Sequence, residues 1–213
     1  MGRNKRDNVA ALHEQAIMDA AERVFLKKGF QSTTITDITQ ASGYSRRTIY
    51  AYFENKEEIL LNIVLKGLLM LRDEIGAAVG QPSGFIDTYF TICRAMADYY
   101  VNSPQSFQAI NMADTGGAAD MDVPPTARRI YEAGEQINDL LYGFIQSGKR
   151  AGLVLEDVKT MPAVYVLWSN ISSLMYLAKS KGSFIQQEFA GSIEDFIDYG
   201  LRQILNAILV ERI

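Results

Sequence analysis

The chain has 213 residues, of which 48% are apolar and 22% are charged, and its net charge is −4. This size allows one large or two small globular domains with a sizeable core. No apolar run approaches the roughly 20 residues of a membrane span, the first residues lack the apolar region of a signal peptide, and the single cysteine excludes an intrachain disulfide. We therefore expect a cytoplasmic protein with no membrane partner, in which Cys93 is a core residue.

The first predicted helix runs from about Asn8 to Lys28 and is followed by Gly29. Its apolar residues recur at spacings of three and four, which predicts one buried face. The only histidine, His13, has polar neighbours, and we assign it no role. The preceding segment, residues 3–6, is polar and basic, and is interpreted either as a solubilising tail or as an arm that contacts DNA.

Two short helices joined by a glycine turn follow. Thr36 is the predicted N-cap of the first, Gly43 lies in the turn, and Ser45 is the predicted N-cap of the second, which spans Arg46 to Phe53. Ile49 and Phe53 lie four residues apart and share a face. This is a helix-turn-helix pattern whose second helix begins with two arginines.

Such a helix suits a DNA major groove, because arginine can hold guanine with two hydrogen bonds while hydroxyls reach phosphates. Lys56, at the start of the next helix, is predicted to share a phosphate with the free backbone N–H groups there. The alternative is a helical hairpin with solvated arginines. The predicted DNA-binding residues are Thr34, Thr36, Ser45, Arg46, Arg47, Thr48, Tyr50, Tyr52 and Lys56. Charge supports this assignment, since residues 1–56 carry a net +3 and residues 57–213 a net −7.

The stretch from Thr33 to Glu57 resembles the DNA-binding signature of the tetracycline-repressor (TetR) family of bacterial transcriptional regulators. The matching residues are Thr33-Thr34-Ile35, Asp37-Ile38, Ala41-Ser42-Gly43, Ser45, Thr48-Ile49-Tyr50, Tyr52-Phe53 and Lys56-Glu57. Tyr44, Arg47 and Ala51 depart from the usual pattern. The resemblance implies an all-α fold, with a three-helix helix-turn-helix domain at residues 1–56 and a helical effector-binding and dimerisation domain at residues 57–213.

The rest of the chain also has helical periodicity, with no strand-like alternation. A long helix capped by Asn55 is predicted to end in the glycine-rich segment 76–84. The later predicted helices span Phe85 to Val101, Pro104 to Asp114, Pro125 to about Gly152, Glu156 to Lys181, and Ile185 to Val210, with an irregular stretch at residues 115–125.

The last two predicted helices are apolar over wide arcs, which favours a homodimer formed by a four-helix interface. The alternative is that these arcs only face their own domain. The predicted interface residues are Leu167, Ile171, Leu174, Ile197, Leu201, Ile204, Leu205 and Ile208.

The family resemblance, rather than the composition, implies a small-molecule effector. The candidate ligand-binding residues are Tyr89, Met96, Tyr100, Phe107, Asn111, Tyr131 and Trp168, which suit an apolar or aromatic ligand as well as they suit a plain core. We expect a repressor that binds a palindromic operator as a dimer and is released by this effector. The alternative is a DNA-binding adaptor controlled by a protein partner. An enzyme is disfavoured, and no cofactor or metal is expected, because the chain has one histidine, one cysteine and no phosphate-binding loop.

Overall fold

The computed structural model describes residues 2–104, 123–189 and 191–213. Within these ranges the protein is all-α, as predicted, and an isolated antiparallel bridge joins Val154 to Leu209. The helices are α1 (Gly2–Lys28), α2 (Ile35–Ser42), α3 (Arg46–Tyr50), α4 (Lys56–Gly80), α5 (Phe85–Asn102), α6 (Pro125–Arg150), α7 (Thr160–Phe189) and α8 (Ile193–Asn206). None of the helices in these ranges is long and apolar enough to span a membrane.

Several predicted boundaries were wrong. Helix α1 already includes residues 3–6, so it begins earlier than the predicted Asn8. Helix α4 continues through Gly76 to Gly80, because a single glycine costs a helix only about 1 kcal/mol. The predicted helix from Pro104 and the irregular stretch after it lie mostly outside the described residues.

The last two helices divide at a different place from the one predicted. Helix α7 continues to Phe189, with non-helical backbone angles at Lys181, where the prediction ended it. Helix α8 begins only at Ile193, because Ser192 and Asp195 form a capping box. The Ser192 hydroxyl accepts from the Asp195 N–H at 3.0 Å, and the Asp195 carboxylate accepts from the Ser192 N–H at 3.1 Å.

The chain divides into two compact units. The first comprises Met1–Leu68 with Ser103–Glu132, and the second comprises Leu69–Asn102 with Ala133–Ile213. The core of the first unit is an apolar cluster contributed by helices α1 to α4 and the turn after α3. Its buried members are Ile17, Ala21, Phe25, Ile38, Ile49, Phe53, Ile59 and Ile63. This cluster positions the helix-turn-helix, because each of its short helices contributes one fully buried isoleucine.

In the second unit, helices α5 to α8 surround a separate core. The rings of Phe85 and Phe144 stack with centroids 4.3 Å apart, and a Cβ added at Gly148 on α6 would lie 2.5 Å from the Phe85 ring. Cys93 is fully buried, and burial raises the pKa of its thiol to about 12. The prediction of a core cysteine is confirmed.

Candidate nucleic-acid interface

Helix α2 is capped by Thr34 rather than by the predicted Thr36. The Asp37 carboxylate accepts from the Thr34 N–H at 2.9 Å and from its hydroxyl at 2.8 Å, and the Asp37 N–H donates to the Thr34 oxygen at 3.3 Å. Lys28 also donates to this carboxylate. The Lys28 ammonium, with the two Thr34 groups, lowers the pKa of Asp37 to about 2. The Thr34 hydroxyl therefore belongs to the cap, whereas Thr36 lies exposed on the first turn.

The turn between α2 and α3 and the start of α3 follow the prediction. Gly43 has a φ of 75°, the left-handed conformation that residues with a Cβ seldom adopt. The Ser45 hydroxyl caps α3 by accepting from the Thr48 N–H at 3.1 Å, and it also lies 2.9 Å from the Thr48 hydroxyl. The hydroxyls of Ser45 and Thr48 thus contact each other at the N-terminus of α3, and the Ser45 hydroxyl stabilises that helix end.

Helix α3 has only five residues and ends at Tyr50, three residues before the predicted end. Residues 51–53 continue in a turn, with the Phe53 N–H donating to the Ile49 carbonyl at 2.9 Å. Ile49 is fully buried and Phe53 is 4% exposed, so the predicted inner face is confirmed. The short helix is held by this burial rather than by its own hydrogen bonds.

The outer face of α3 carries the two arginines. Arg46 and Tyr50 lie four residues apart, and the guanidinium carbon lies 5.7 Å from the centre of the tyrosine ring. Arg47 is exposed, and no ion pair found among the described residues includes it. The exposed side of α3 therefore offers two guanidinium groups and the half-exposed Tyr50 ring to a polyanion.

Lys56 has a different environment from the one predicted. Its ammonium donates to three backbone carbonyls, those of Phe30 at 3.0 Å, Gln31 at 3.1 Å and Thr33 at 3.0 Å. It also lies 4.7 Å from the centre of the Phe30 ring. An ammonium has three protons to donate, and all three are used here. In this arrangement Lys56 ties the start of α4 to the loop between α1 and α2, and the predicted phosphate contact of its ammonium stays a prediction.

Tyr52 and His13 form a contact that the sequence did not suggest. Tyr52 is half-buried, and its hydroxyl lies 3.0 Å from the Nδ1 atom of His13 on α1. The imidazole also packs against Tyr44 in the turn before α3. His13 precedes the buried Ile17 by four residues, and this spacing was the one available indication that it faces the domain.

The comparisons with known proteins agree with this geometry. The family model described as "Bacterial regulatory proteins, tetR family" matches residues 17–63, the segment from α1 into α4. The HTH-type transcriptional repressor BepR of Brucella suis is 26% identical over 206 residues, 93% of this chain and 91% of BepR. Residues 17–63 therefore match the DNA-binding domain of the tetR family of bacterial regulatory proteins.

Two further regulators show which parts of the chain are similar to known proteins. The uncharacterised HTH-type regulator YfiR of Bacillus subtilis is 44% identical over 52 residues, but this match covers only 24% of the chain and 25% of YfiR. The crystal structure of FadR from Bacillus subtilis in complex with stearoyl-CoA superposes with a TM-score of 0.67 at 15% identity. It covers 91% of this chain and 98% of FadR, and it therefore shows the common fold.

The second unit contains a small apolar cavity between α5, α6 and α7. Its volume is about 20 Å³, room for one water-sized sphere. The lining residues are Tyr89, Ile92, Met96, Leu141, Phe144, Ile145, Val164, Leu167, Trp168 and Ile171. Three of the predicted ligand-binding residues, Tyr89, Met96 and Trp168, thus meet at one place.

The other predicted ligand-binding residues do not line this cavity. Tyr100 is buried elsewhere in the second unit, with the Lys179 ammonium 5.2 Å from the centre of its ring. Tyr131 is 36% exposed and belongs to the first unit. Phe107 and Asn111 lie outside the described residues.

The predicted dimer residues fall into two groups. Ile171, Leu201, Leu205 and Ile208 are at most 9% exposed, so they are mainly core residues of their own protomer. The spacing of apolar residues in the sequence does not show which face of a helix packs inside the protomer and which faces outward. Leu167, Leu174, Ile197 and Ile204 are half-buried. The outward side of α7 and α8 carries apolar residues that were not predicted, namely Val166, Leu177, Phe184 and Tyr199, each more than 40% exposed.

A groove of about 520 Å³ runs between α7 and α8 on this outward side. Its lining is mostly apolar, with Ala163, Val166, Leu167, Ile204, Ala207 and Ile208, and Lys159, Asn170 and Gln203 add polar groups. Apolar surface of this kind is expected where another chain packs.

Proposed function

We propose that this protein is a transcriptional repressor that binds a palindromic DNA duplex as a homodimer, with α3 in the major groove. The observation that carries the proposal is the geometry of α3. Its inner face is fixed by the buried Ile49, and its outer face presents Arg46 and Arg47 side by side. BepR, similar over nearly the whole chain, is named as a repressor, which supports the same assignment.

DNA binding is tested by selecting duplexes from a random library with the purified protein. The selected duplex should be palindromic, since a two-fold dimer places its recognition helices about 34–36 Å apart. Binding measured by fluorescence anisotropy should weaken steeply with salt. The double variant Arg46→Ala, Arg47→Ala should lose most of the affinity, whereas Arg212→Ala near the chain end serves as a charge-matched control. Failure to enrich any duplex would refute the proposal.

The homodimer is proposed to form through the outward side of α7 and α8. Val166 is 58% exposed and lies in the groove, so a charged side chain there leaves the protomer core intact. Val166→Glu should therefore give a folded monomer in analytical ultracentrifugation. Tyr165→Glu is the matched control, because Tyr165 is 54% exposed on the same helix but does not line the groove. A Val166→Glu protein that remains dimeric would place the interface elsewhere.

The effector is proposed to be a small apolar or aromatic molecule that enters the cavity beside Tyr89 and Trp168. The apolar lining supports this ligand class, and FadR, which shares the fold, was crystallised with stearoyl-CoA. A thermal-shift screen should include free fatty acids, acyl-CoA thioesters and small aromatic compounds. A ligand of the cavity should raise the melting temperature and quench or shift the fluorescence of Trp168, the only tryptophan in the chain.

A second candidate is a DNA-binding adaptor that takes no small molecule and is controlled by a protein partner. The small volume of the cavity favours it, because about 20 Å³ does not hold an effector without rearrangement. The screen separates the two candidates. A compound that stabilises the protein and releases the selected duplex establishes the effector, whereas stabilisation that leaves DNA binding unchanged supports the adaptor.

A further inference from the structure

One side chain of α1 touches the residues that flank both ends of α3. The His13 ring lies 5.2 Å from the Tyr44 ring, centre to centre, at an interplanar angle of 55°. It lies 5.9 Å from the Tyr52 ring in an edge-on arrangement, and its Nδ1 atom is 3.0 Å from the Tyr52 hydroxyl. We call these three side chains the aromatic clamp. All three are half-buried.

The clamp contacts the residues next to both caps of α3, and contacts at these positions can set the orientation of the helix. Tyr44 directly precedes Ser45, the N-cap of α3, and Tyr52 directly follows Ala51, the C-cap. A helix of five residues has too few hydrogen bonds to be stable alone, so its direction is set by what its ends and its buried face contact. Ile49 anchors the middle of α3 to the core, and the clamp fixes the two flanking residues to α1.

The contact is built from two independent interactions. Aromatic rings in tilted or edge-on contact at these distances attract each other beyond the effect of their burial. The hydrogen bond between imidazole and phenol links two groups that are 39 residues apart and partly shielded from water. Tyr44 and Tyr52 also pack against the core cluster of the first unit, so the clamp joins that core to the residues that flank α3.

We propose that His13 is a positioning residue for DNA binding, which acts through Tyr44 and Tyr52 to set the direction of α3. His13 itself does not read bases. It holds the helix so that Arg46 and Arg47 reach the groove together, and its loss lets α3 tilt about Ile49. This proposal rests on the proposed DNA-binding function and adds a residue to which neither the sequence pattern nor the comparisons gave a role.

The test uses the full chain and the duplex that the wild-type protein selects from a random library. His13→Phe keeps a ring against Tyr44 but loses the hydrogen bond. His13→Asn keeps a polar atom near the place of Nδ1 but loses the ring. Each should bind the duplex about threefold more weakly than wild type, and His13→Ala, which loses both contacts, about tenfold more weakly. Leu12→Ala is the matched control, because Leu12 is 68% exposed on the same turn of α1.

Two readouts separate positioning from a general loss of stability. First, His13→Ala should relax the base preference at every position that the two arginines read, when duplexes are selected again with the folded variant. Second, the slope of log affinity against log salt should stay as in wild type, because both arginines of α3 are kept. A double-mutant cycle adds a third readout. His13→Phe and Tyr52→Phe remove the same hydrogen bond, so the double variant should bind no more weakly than either single variant.

The proposal is overturned if folded His13→Ala binds the selected duplex with wild-type affinity and wild-type base preference. If His13→Ala does not fold, the Phe and Asn variants decide, and wild-type binding by both overturns the proposal. If the wild-type protein selects no duplex at all, the proposed function itself fails, and that outcome is distinct from equal binding by wild type and variants.

Discussion

Removing the Lys56 ammonium should destabilise the first unit rather than remove a phosphate contact. In Lys56→Met the apolar stem is kept and the three hydrogen bonds to the carbonyls of Phe30, Gln31 and Thr33 are lost. Hydrogen bonds to a charged group contribute about 1.5–3 kcal/mol each when buried. Lys56 is only half-buried and water can replace part of what is lost, so we expect unfolding free energy to fall by about 2 kcal/mol in total.

The assay must report on the first unit. Trp168 lies in the second unit, so its fluorescence does not follow the unfolding of α1 to α3. Amide hydrogen exchange should instead show faster exchange in α1 and α2 of Lys56→Met than of wild type. Lys27→Met is the matched control, because it removes one exposed cation from the same unit. Its exchange rates should equal those of wild type.

Measurements of DNA affinity at several salt concentrations then distinguish a phosphate contact of Lys56 from a purely structural role. Loss of a phosphate contact would reduce the slope of log affinity against log salt by about one unit. Loss of the carbonyl contacts should weaken binding and leave that slope unchanged. Unchanged hydrogen exchange together with a slope reduced by one unit would refute the structural role and return Lys56 to the phosphate contacts.

The remaining predictions concern three other positions. Gly148→Ala should cost about 1–3 kcal/mol in urea denaturation, because its Cβ would lie 2.5 Å from the Phe85 ring, whereas Gly143→Ala on the same helix meets nothing within 4 Å and should be tolerated. Because the pKa of Asp37 is lowered to about 2, its contribution to stability should be complete above about pH 4 and be lost as the pH falls toward 2, and Asp37→Asn should lack this acid-dependent loss in denaturation curves. Arg47→Ala should relax the preference at one base pair of each half-site, worth about 1–3 kcal/mol, and identical selected sequences would show that Arg47 does not read bases.

Local signals in the sequence were sufficient to predict most of the caps and the turn of the helix-turn-helix. Ser45 and Asn55 were predicted as N-caps, and both accept from the N–H three residues on, at 3.1 and 2.8 Å. Gly43 was predicted in the turn because few other residues tolerate a positive φ. The cap of α2 was misplaced by two residues, although Thr34 and Asp37 have the spacing of a capping box.

Contacts between distant residues could not be predicted in the same way. Lys56 meets carbonyls 23 to 26 residues earlier in the chain, and carbonyls carry no signal in the sequence. His13 meets Tyr52 39 residues later. Helix α7 is apolar around much of its circumference, so periodicity could not separate the cavity side, with Ile171, from the outward side, with Val166.

The small volume of the cavity places an energetic condition on any effector. A ligand shifts a conformational equilibrium only by the difference between its affinities for the two states, so an effector must bind an opened form of the cavity more tightly than it binds the closed form. Opening the cavity moves its walls, and one wall is tied to a helix at the proposed dimer face. The Tyr89 hydroxyl donates to the Leu201 carbonyl of α8 at 2.9 Å, and α8 also contributes Ile204 to the outward groove. In the proposed mechanism, a ligand that displaces Tyr89 therefore changes a contact of α8 directly, and the affinity of the ligand and the geometry of the dimer are linked by that hydrogen bond.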